Sequence, residues 1–207
     1  MKLLNIDGKF YAFLDMFWNV LKLNFLWLIF SLPVVTIGCS TVAAYSVTLK
    51  MVEKRDAKVG QQFLQAFREN WKQGLPMGLI VLLVSYSVFM NWQLFQAVEG
   101  NPILFLLFAI LLGAAALSHF TYAFALTARD HNSIVQTFRN SAAISRKYFL
   151  HTLLLWLILS LLTFLFLFNQ TLLFIGILIG PTSMFLTVSG FAVKFFGEIE
   201  KEQMGDA

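Results

Sequence analysis

Four long stretches of this chain contain no Asp, Glu, Lys or Arg, and they restrict the chain to a membrane environment. The stretches are residues 23–49, 75–98, 102–128 and 148–193. A helix of about 20 apolar residues crosses a bilayer, so each stretch is long enough for at least one crossing. Only 13% of all residues are charged, about half the share found in soluble domains. The sequence therefore predicts an all-α integral membrane protein.

Turn-forming residues divide the later stretches into two hairpins. The sequence EGNP at 99–102 predicts a turn, because Gly and Asn accept turn geometry and Pro cannot extend the preceding helix. The sequence NQT at 169–171 divides the last stretch, which is too long for one crossing. Gly180 and Pro181 predict a kink, where the next two hydroxyl side chains can satisfy freed backbone groups. The predicted hairpins are 75–98 with 103–128 and 148–168 with 172–196, followed by a tail at 197–207.

Basic residues collect on the segments between the hairpins. The segment 50–74 carries six of them, the segment 129–147 carries four, and the two predicted turns carry none. Positively charged residues favour the cytoplasmic side of a membrane, so we expect these segments and both termini to be cytoplasmic. The net charge of +4 is then a property of membrane flanks, and no nucleic-acid partner is expected.

The first charge-free stretch is harder to place than the others. Lys residues flank it on both sides, so the charge rule favours a hairpin at 23–52 with a break at 33–38 over a single crossing. The arms are short for full crossings: either the first arm begins upstream, near Phe10, or the hairpin is partly re-entrant. An upstream start would place Lys22 near mid-bilayer, at a cost of several kcal/mol. We therefore predict a separate interfacial amphipathic helix at 9–22.

A short polar phrase occurs twice between the hydrophobic stretches. QAFREN at 65–70 returns as QTFRNS at 136–141. Each phrase lies on a predicted amphipathic helix just before an outgoing membrane helix, and we call these helices the first elbow (60–73) and the second elbow (132–147). The repeated unit is an elbow that leads into a membrane hairpin, within a single domain at 1–207. The predicted caps are Gly74 at the end of the first elbow and Ser133 at the start of the second.

Two interpretations of the elbows remain open. Their aromatic side chains can anchor at the membrane interface while their basic side chains meet anionic lipid headgroups. Alternatively, the elbows form a cytoplasmic docking surface for a partner protein. The candidate docking residues are Phe67, Arg68, Trp71, Phe138 and Arg139.

No catalytic or nucleotide-binding motif occurs in the chain. The motifs GxxxxGK[ST], HExxH and GxSxG are missing, and the single Cys39 excludes an internal disulfide. His119 is the only ionisable side chain well inside a predicted span, and it is either an interhelical hydrogen-bond partner or a functional residue. No Asp or Glu lies in the four spans predicted from residue 75 onward, whereas coupled transporters usually need one. We expect no enzymatic activity, metal, cofactor or independent active transport.

Residues 24–45, NFLWLIFSLPVVTIGCSTVAAY, resemble the signature of the YesL family, small multi-pass membrane proteins of mostly Gram-positive bacteria with no known function. The family often has Pro after the signature Gly, where this chain has Cys39. The resemblance implies a bacterial cytoplasmic-membrane protein whose genes commonly neighbour carbohydrate ABC importers and glycoside hydrolases. The family supplies no catalytic residues. The positions that carry the resemblance are Asn24, Ser31, Pro33, Thr36, Gly38 and Tyr45.

These observations lead to one main functional hypothesis and several alternatives. The main hypothesis is a non-enzymatic accessory or regulatory subunit that binds the permease of a carbohydrate ABC importer through its elbows. The first alternative is a small channel or facilitator, with a polar path near His119 and the break at 33–38. A membrane assembly or signalling factor is a further alternative, and a homo-oligomer is compatible with each. A membrane enzyme is disfavoured because the sequence offers no acid–base pair.

Overall fold

The computed structural model describes residues 4–55, 58–98, 102–130 and 132–205. These residues are almost entirely helical, and six of their helical stretches are long and apolar enough to cross a membrane. The prediction of an all-α membrane protein with six hydrophobic helices is therefore confirmed. The predicted turn at 99–101 lies outside the described residues. The helices are α1 (Leu4–Ser31), α2 (Ile37–Val52), α3 (Val59–Glu69), α4 (Trp71–Ala97), α5 (Ile103–Phe120), α6 (Ala123–Arg129), α7 (Ile134–Lys147), α8 (Phe149–Leu167) and α9 (Gln170–Gly205), with a 3-10 turn at Val34–Thr36.

The front of the chain forms one long helix where we predicted two. The predicted boundary between an interfacial helix at 9–22 and a membrane arm from 23 does not exist, because α1 continues from Leu4 to Ser31. Lys22 does not interrupt it, since its ammonium group is exposed and lies 5.1 Å from the centre of the Trp18 ring. The stretch Phe10–Ser31 is long and apolar enough to cross a membrane. The predicted break at 33–38 is confirmed by the 3-10 turn that separates α1 from α2.

Helix α2 is the central helix of the protein. It packs against α1, α3, α4, α6 and α9, and most of its residues are buried. Small side chains such as Ala43 and Ala44 are fully buried and let the neighbouring helices approach closely. Within α2 the Thr48 hydroxyl shares a hydrogen bond of 2.7 Å with the Ser189 hydroxyl of α9. The small and hydroxyl-bearing residues of α2 therefore form the centre of the membrane domain.

The first elbow ends earlier than predicted, and Gly74 does not cap it. Helix α3 ends at Glu69, and Asn70 separates it from α4, so Gly74 lies inside α4. Gly74 is instead used for close packing: a Cβ atom added there would lie 2.7 Å from the Cys39 Cα. A Cβ atom added to Gly38 would lie 2.6 Å from the Gly78 Cα. Glycine is therefore required because the backbones of α2 and α4 touch, as in other close membrane-helix crossings.

The second elbow begins as predicted. It is helix α7, and the Oγ of its N-cap residue Ser133 accepts a hydrogen bond from the Gln136 amide at 3.3 Å. The following helix α8 starts immediately after Tyr148. The first turn of α4 lies close to the start of the second elbow, since the Gln73 side chain donates to the Asn132 carbonyl at 3.1 Å. Both elbows therefore adjoin the same end of helix α4.

The predicted span at 103–128 is broken in its last third. Helix α5 ends at Phe120 and α6 begins at Ala123. Two serines of α7 bond the backbone groups at the break: the Ser141 Oγ accepts from the Tyr122 amide at 3.1 Å, and the Ser145 Oγ donates to the Ser118 carbonyl at 3.0 Å. Because a helix normally pairs residue i with residue i−4, these hydroxyls replace one internal hydrogen bond. The second elbow thereby stabilises a break that apolarity alone could not predict.

The Gly180–Pro181 site does not end the last helix, which runs from Gln170 to Gly205 and includes the predicted tail up to Gly205. Pro181 cannot donate to the Ile177 carbonyl, since it has no amide hydrogen. The fully buried Asn24 of α1 donates to that carbonyl at 2.8 Å, and its Oδ1 accepts from Thr182. An asparagine from a distant helix therefore satisfies the carbonyl that Pro181 leaves free.

Candidate functional site

Both elbows turn their repeated phenylalanine toward the body of the protein. Phe67 packs edge-on against Phe30 of α1, with 5.0 Å between ring centroids. Phe138 packs edge-on against Phe120 of α5, at 5.2 Å. Each partner ring lies at or near the end of a helix, just before a break. The two predicted docking residues Phe67 and Phe138 are thus partly buried and hold the elbows in place.

The first elbow leaves an aromatic and basic surface exposed. The side chain of Trp71 is 52% exposed and that of Leu64 is 37% exposed. Arg68 lies between them in sequence and is also exposed. Within the described part of the chain, no carboxylate lies within 4 Å of the Arg68 guanidinium, and the neighbouring Glu69 accepts from Gln65 at 2.9 Å. This surface, formed by Leu64, Arg68 and Trp71, is called the first-elbow face below.

The second elbow places its arginine in a different setting. Arg139 lines a pocket of about 310 Å³ together with Arg146 of the same helix and His119 of α5. The amide side chains of Gln136 and Asn140 complete the polar wall. We call this site the cationic pocket. Among the described residues, no carboxylate lies within 4 Å of its three basic side chains.

His119 lies at the surface and bonds to its own helix. Its Nδ1 is 2.8 Å from the Ala115 carbonyl and 3.1 Å from the Ser118 hydroxyl. A carbonyl can only accept a hydrogen bond, so Nδ1 carries the proton and Nε2 is the nitrogen not used by this contact. The hydrogen bonds found for His119 therefore do not join two helices, which was one of its two predicted roles. His131 lies outside the described residues.

Two other basic residues beside the second elbow are neutralised by the end of α9. Arg129 forms an ion pair with Glu200, and Lys147 forms one with Glu202. The hydrogen bond from Lys147 to Glu202 raises the pKa of the Lys147 ammonium group. The acidic segment of α9 thus balances part of the positive charge of the second elbow, and the cationic pocket keeps the rest.

The six residues of the predicted signature lie on α1, on α2 and in the turn between them. Thr36 donates its hydroxyl to the Phe30 carbonyl at 2.6 Å, which satisfies a carbonyl near the end of α1. Asn24 bonds to α9 and Gly38 contacts α4, as described above. Ser31 is partly buried, Pro33 is exposed at the break, and Tyr45 is buried in the core of α2. These positions therefore determine packing, and the resemblance that they carry is structural.

An apolar cavity of about 510 Å³ lies between the hairpins α4–α5 and α8–α9. Among the described residues, α4 packs on α5 and α8 packs on α9, whereas contacts between the two pairs are few. Tyr45 lines the cavity, as do Thr121 and Trp156, whose side chains are joined by a hydrogen bond of 3.0 Å. Most of the remaining wall is apolar, with Gly113 on the α5 side. The cavity has the size of a small-molecule pocket and lies within candidate membrane spans.

The described residues contain no group of three or more His, Cys, Asp or Glu side chains that could hold a metal ion. Cys39 is buried, and its thiol lies 3.6 Å from the Trp71 carbonyl. In the cationic pocket the fold brings together cationic and amide side chains. Such a set can bind an anion.

Sequence reasoning found the members of the cationic pocket separately and missed their combination. Gln136, Arg139, Asn140 and Arg146 share one face of α7, and their helical spacing was readable from the sequence. The addition of His119 requires α5 to pack beside α7, which no local pattern indicates. The pairing of Lys147 with the end of α9 was likewise visible only in the tertiary structure.

Comparison with known protein families gives one partial match. Residues 20–92 match a family described as "Protein of unknown function, DUF624". The matched region contains all six signature residues and the first elbow, and it ends before the second elbow. Comparisons with curated proteins and with solved structures find no match. Over residues 20–92, this chain is therefore similar to the DUF624 family.

Proposed function

We propose that this protein is a non-enzymatic membrane subunit that binds a second membrane protein through the first-elbow face. The observation that supports this proposal most directly is the half-exposed Trp71 beside an Arg68 that has no carboxylate within 4 Å among the described residues. Trp and Arg are the residue types most enriched at the energetic centres of protein interfaces. An unpaired arginine on a rigid helix is also suited to a carboxylate of a partner.

The first-elbow face is held rigidly, which favours binding. Phe63, on the inward face of α3, is fully buried and packs edge-on against Phe30. Phe67 contacts the same ring. Because the helix is fixed before the partner arrives, little conformational entropy is lost on association. The exposed side chains of the first-elbow face therefore extend from a backbone that these rings hold in position.

The proposed partner is the permease of a carbohydrate ABC importer. This part of the proposal rests on the resemblance to the YesL family, whose genes commonly neighbour such importers. YesL-like proteins are in the family that matches residues 20–92. A bacterial cytoplasmic-membrane location, with the elbows and both termini on the cytoplasmic side, belongs to the same proposal. That orientation follows from the charge rule.

The proposal can be tested by crosslinking in intact cells, followed by gentle solubilisation of the tagged full-length chain and mass spectrometry of the retained proteins. We expect importer permeases with the wild-type chain and their loss with Arg68→Gln/Trp71→Ala. A matched control is Trp92→Ala/Lys194→Gln, which removes an exposed tryptophan and a positive charge elsewhere. Permeases retained equally by both variants would disprove the binding surface. Their absence from the wild-type sample would disprove the partner.

A solute facilitator is the second candidate function, and the cavity between the two membrane hairpins favours it. The earlier version of this hypothesis, with a path near His119 and the break at 33–38, has less support. His119 bonds to its own helix, and Gly38 is packed against Gly78. Flux of sugars or ions through liposomes that contain the purified chain would test this function. Gly113→Leu should block such flux, since it fills the cavity from a wall position with open space.

A further inference from the structure

We propose that the cationic pocket binds the phosphate group of an anionic membrane lipid, whose acyl chain lies along the outer face of α5. The proposal concerns the second elbow and does not depend on the protein partner proposed for the first. It rests on the positions of Arg139, Arg146 and His119 around one pocket. It also rests on an apolar stripe that leads away from this pocket along α5.

Three side chains of the pocket are each held at one point, and two of them leave donor groups free. The Arg146 Nε donates to the Ala142 carbonyl at 3.3 Å, which leaves the terminal guanidinium nitrogens available. The Asn140 Oδ1 accepts from Gln136 at 2.9 Å, so its amide nitrogen remains a donor. His119 uses its Nδ1–H for the Ala115 carbonyl, so Nε2 is an acceptor in the neutral ring and a donor to an anion only in the protonated imidazolium. Guanidinium and amide donors around one small space match the several acceptor oxygens of a phosphate.

The contrast with neighbouring residues identifies where positive charge is unbalanced. Arg129 precedes the second elbow and Lys147 is its last residue, and both are paired with glutamates of α9. Within the described chain, Arg139 and Arg146 have no such pairing. The protein thus neutralises part of this region internally and leaves two adjacent arginines for an external anion.

The apolar surface below the pocket indicates a lipid as the source of the phosphate. Leu104, Phe108 and Leu111 are strongly exposed, and their spacing places them with Ala115 and His119 on one face of α5. Leu111 is about 12 Å from His119 along the helix, within the roughly 15 Å depth of one bilayer leaflet. A lipid bound through its phosphate would place an acyl chain against this stripe, whereas a free phosphate would contact the pocket alone.

The experiment titrates the purified full-length chain in a neutral detergent with phosphatidylglycerol and counts bound lipids by native mass spectrometry. We expect Arg139→Gln/Arg146→Gln to weaken binding roughly 30-fold, from about 1 kcal/mol for each basic residue near a lipid surface. Lys58→Gln/Lys72→Gln removes the same charge near the first elbow and should change binding less than about threefold.

Several results would overturn the proposal. Equal losses in the two double variants would mean that the lipid responds to general surface charge. Unchanged binding by Arg139→Gln/Arg146→Gln, with the fold verified by circular dichroism, would exclude the pocket. Equal affinity for phosphatidylcholine would exclude recognition of an anionic headgroup. Displacement of the lipid by equimolar glycerol 3-phosphate would assign the pocket to a soluble phosphate.

Discussion

The two elbows share a sequence phrase and one packing contact, yet they differ in almost everything else. In both, the repeated phenylalanine lies against a ring near the end of a preceding helix. The first elbow is followed by a glycine crossing between α2 and α4, whereas the second is joined to α5 and α6 by serine hydroxyls. In the described ion pairs, the acidic end of α9 bonds to the region of the second elbow and not to the first.

This difference shows which properties a repeated phrase can specify. An inward phenylalanine and an outward arginine follow from helical periodicity, so both copies adopt them. The chemical environment of the arginine depends on the third element that packs nearby. Arg68 therefore remains on an open surface, while Arg139 lines a pocket with His119 and Arg146.

The largest expected effect tests the glycine crossing between α2 and α4 that follows the first elbow. Gly38→Ala should lower the free energy of unfolding by about 3 kcal/mol, because the added methyl group collides with the backbone of Gly78. Thermal unfolding of the purified chain in detergent would measure it. Gly60→Ala is the control, since nothing lies within 4 Å of its Cβ position, and it should change stability by less than about 1 kcal/mol. Equal stability of both variants would contradict the close crossing.

The next effect tests the hydroxyl contacts of the second elbow. Ser141→Ala should cost about 2 kcal/mol, because the buried Tyr122 amide loses its acceptor. The exposed Ser160 of α8 provides a matched control, and Ser160→Ala should stay within about 0.5 kcal/mol of the wild type. The same unfolding measurement applies. A Ser141→Ala protein as stable as the control would show that the α5–α6 break does not need this hydroxyl.

A smaller effect tests what the two elbows have in common. Double-mutant cycles with alanine at Phe30 and Phe67, and at Phe120 and Phe138, should each give a coupling energy of about 1 kcal/mol. The two values should agree within about 0.5 kcal/mol, since the ring geometries are similar. A coupling energy found in one elbow but not in the other would mean that the two phrases are alike in sequence and not in packing.

The smallest effect tests the ion pair that distinguishes the second elbow. The pKa of Lys147 is raised by its hydrogen bond to Glu202, so the folded state holds this proton more tightly than the unfolded state. The resulting stabilisation is complete below the ordinary lysine pKa of about 10.4 and is lost as pH rises through the raised value. Melting temperatures at about pH 8 and about pH 11 should therefore differ slightly less in Glu202→Gln than in the wild type.

Glu69→Gln serves as the control for this measurement. Glu69 lies on the first elbow and is hydrogen-bonded to Gln65. Its replacement should therefore leave the difference in melting temperature between the two pH values as it is in the wild type. If the melting temperature falls equally between the two pH values in the wild type and in Glu202→Gln, the Lys147–Glu202 pair contributes nothing to stability in solution.

Several parts of the candidate sites were predicted from local patterns, and others could not be. The Ser133 cap and the break at 33–38 follow from residue preferences that act within a few positions, and both were found. Gly74 was predicted to be a cap because glycine near the end of an amphipathic helix commonly is one. Its actual use depends on the backbone of α2, about 35 residues away in sequence. Lys22 was predicted to end a separate interfacial helix, whereas α1 continues through it to Ser31.

The sequence by itself determined the class of the protein, because long charge-free stretches have no stable folded arrangement in water. It also determined most helix positions and the two elbows, since hydrophobic period and turn residues act locally. Only the tertiary structure decided that Asn24 satisfies the carbonyl freed by Pro181 and that His119 joins Arg139 and Arg146. These contacts join helices distant in sequence. They are selected by close packing and by the need to satisfy buried polar groups, which one-dimensional patterns do not specify.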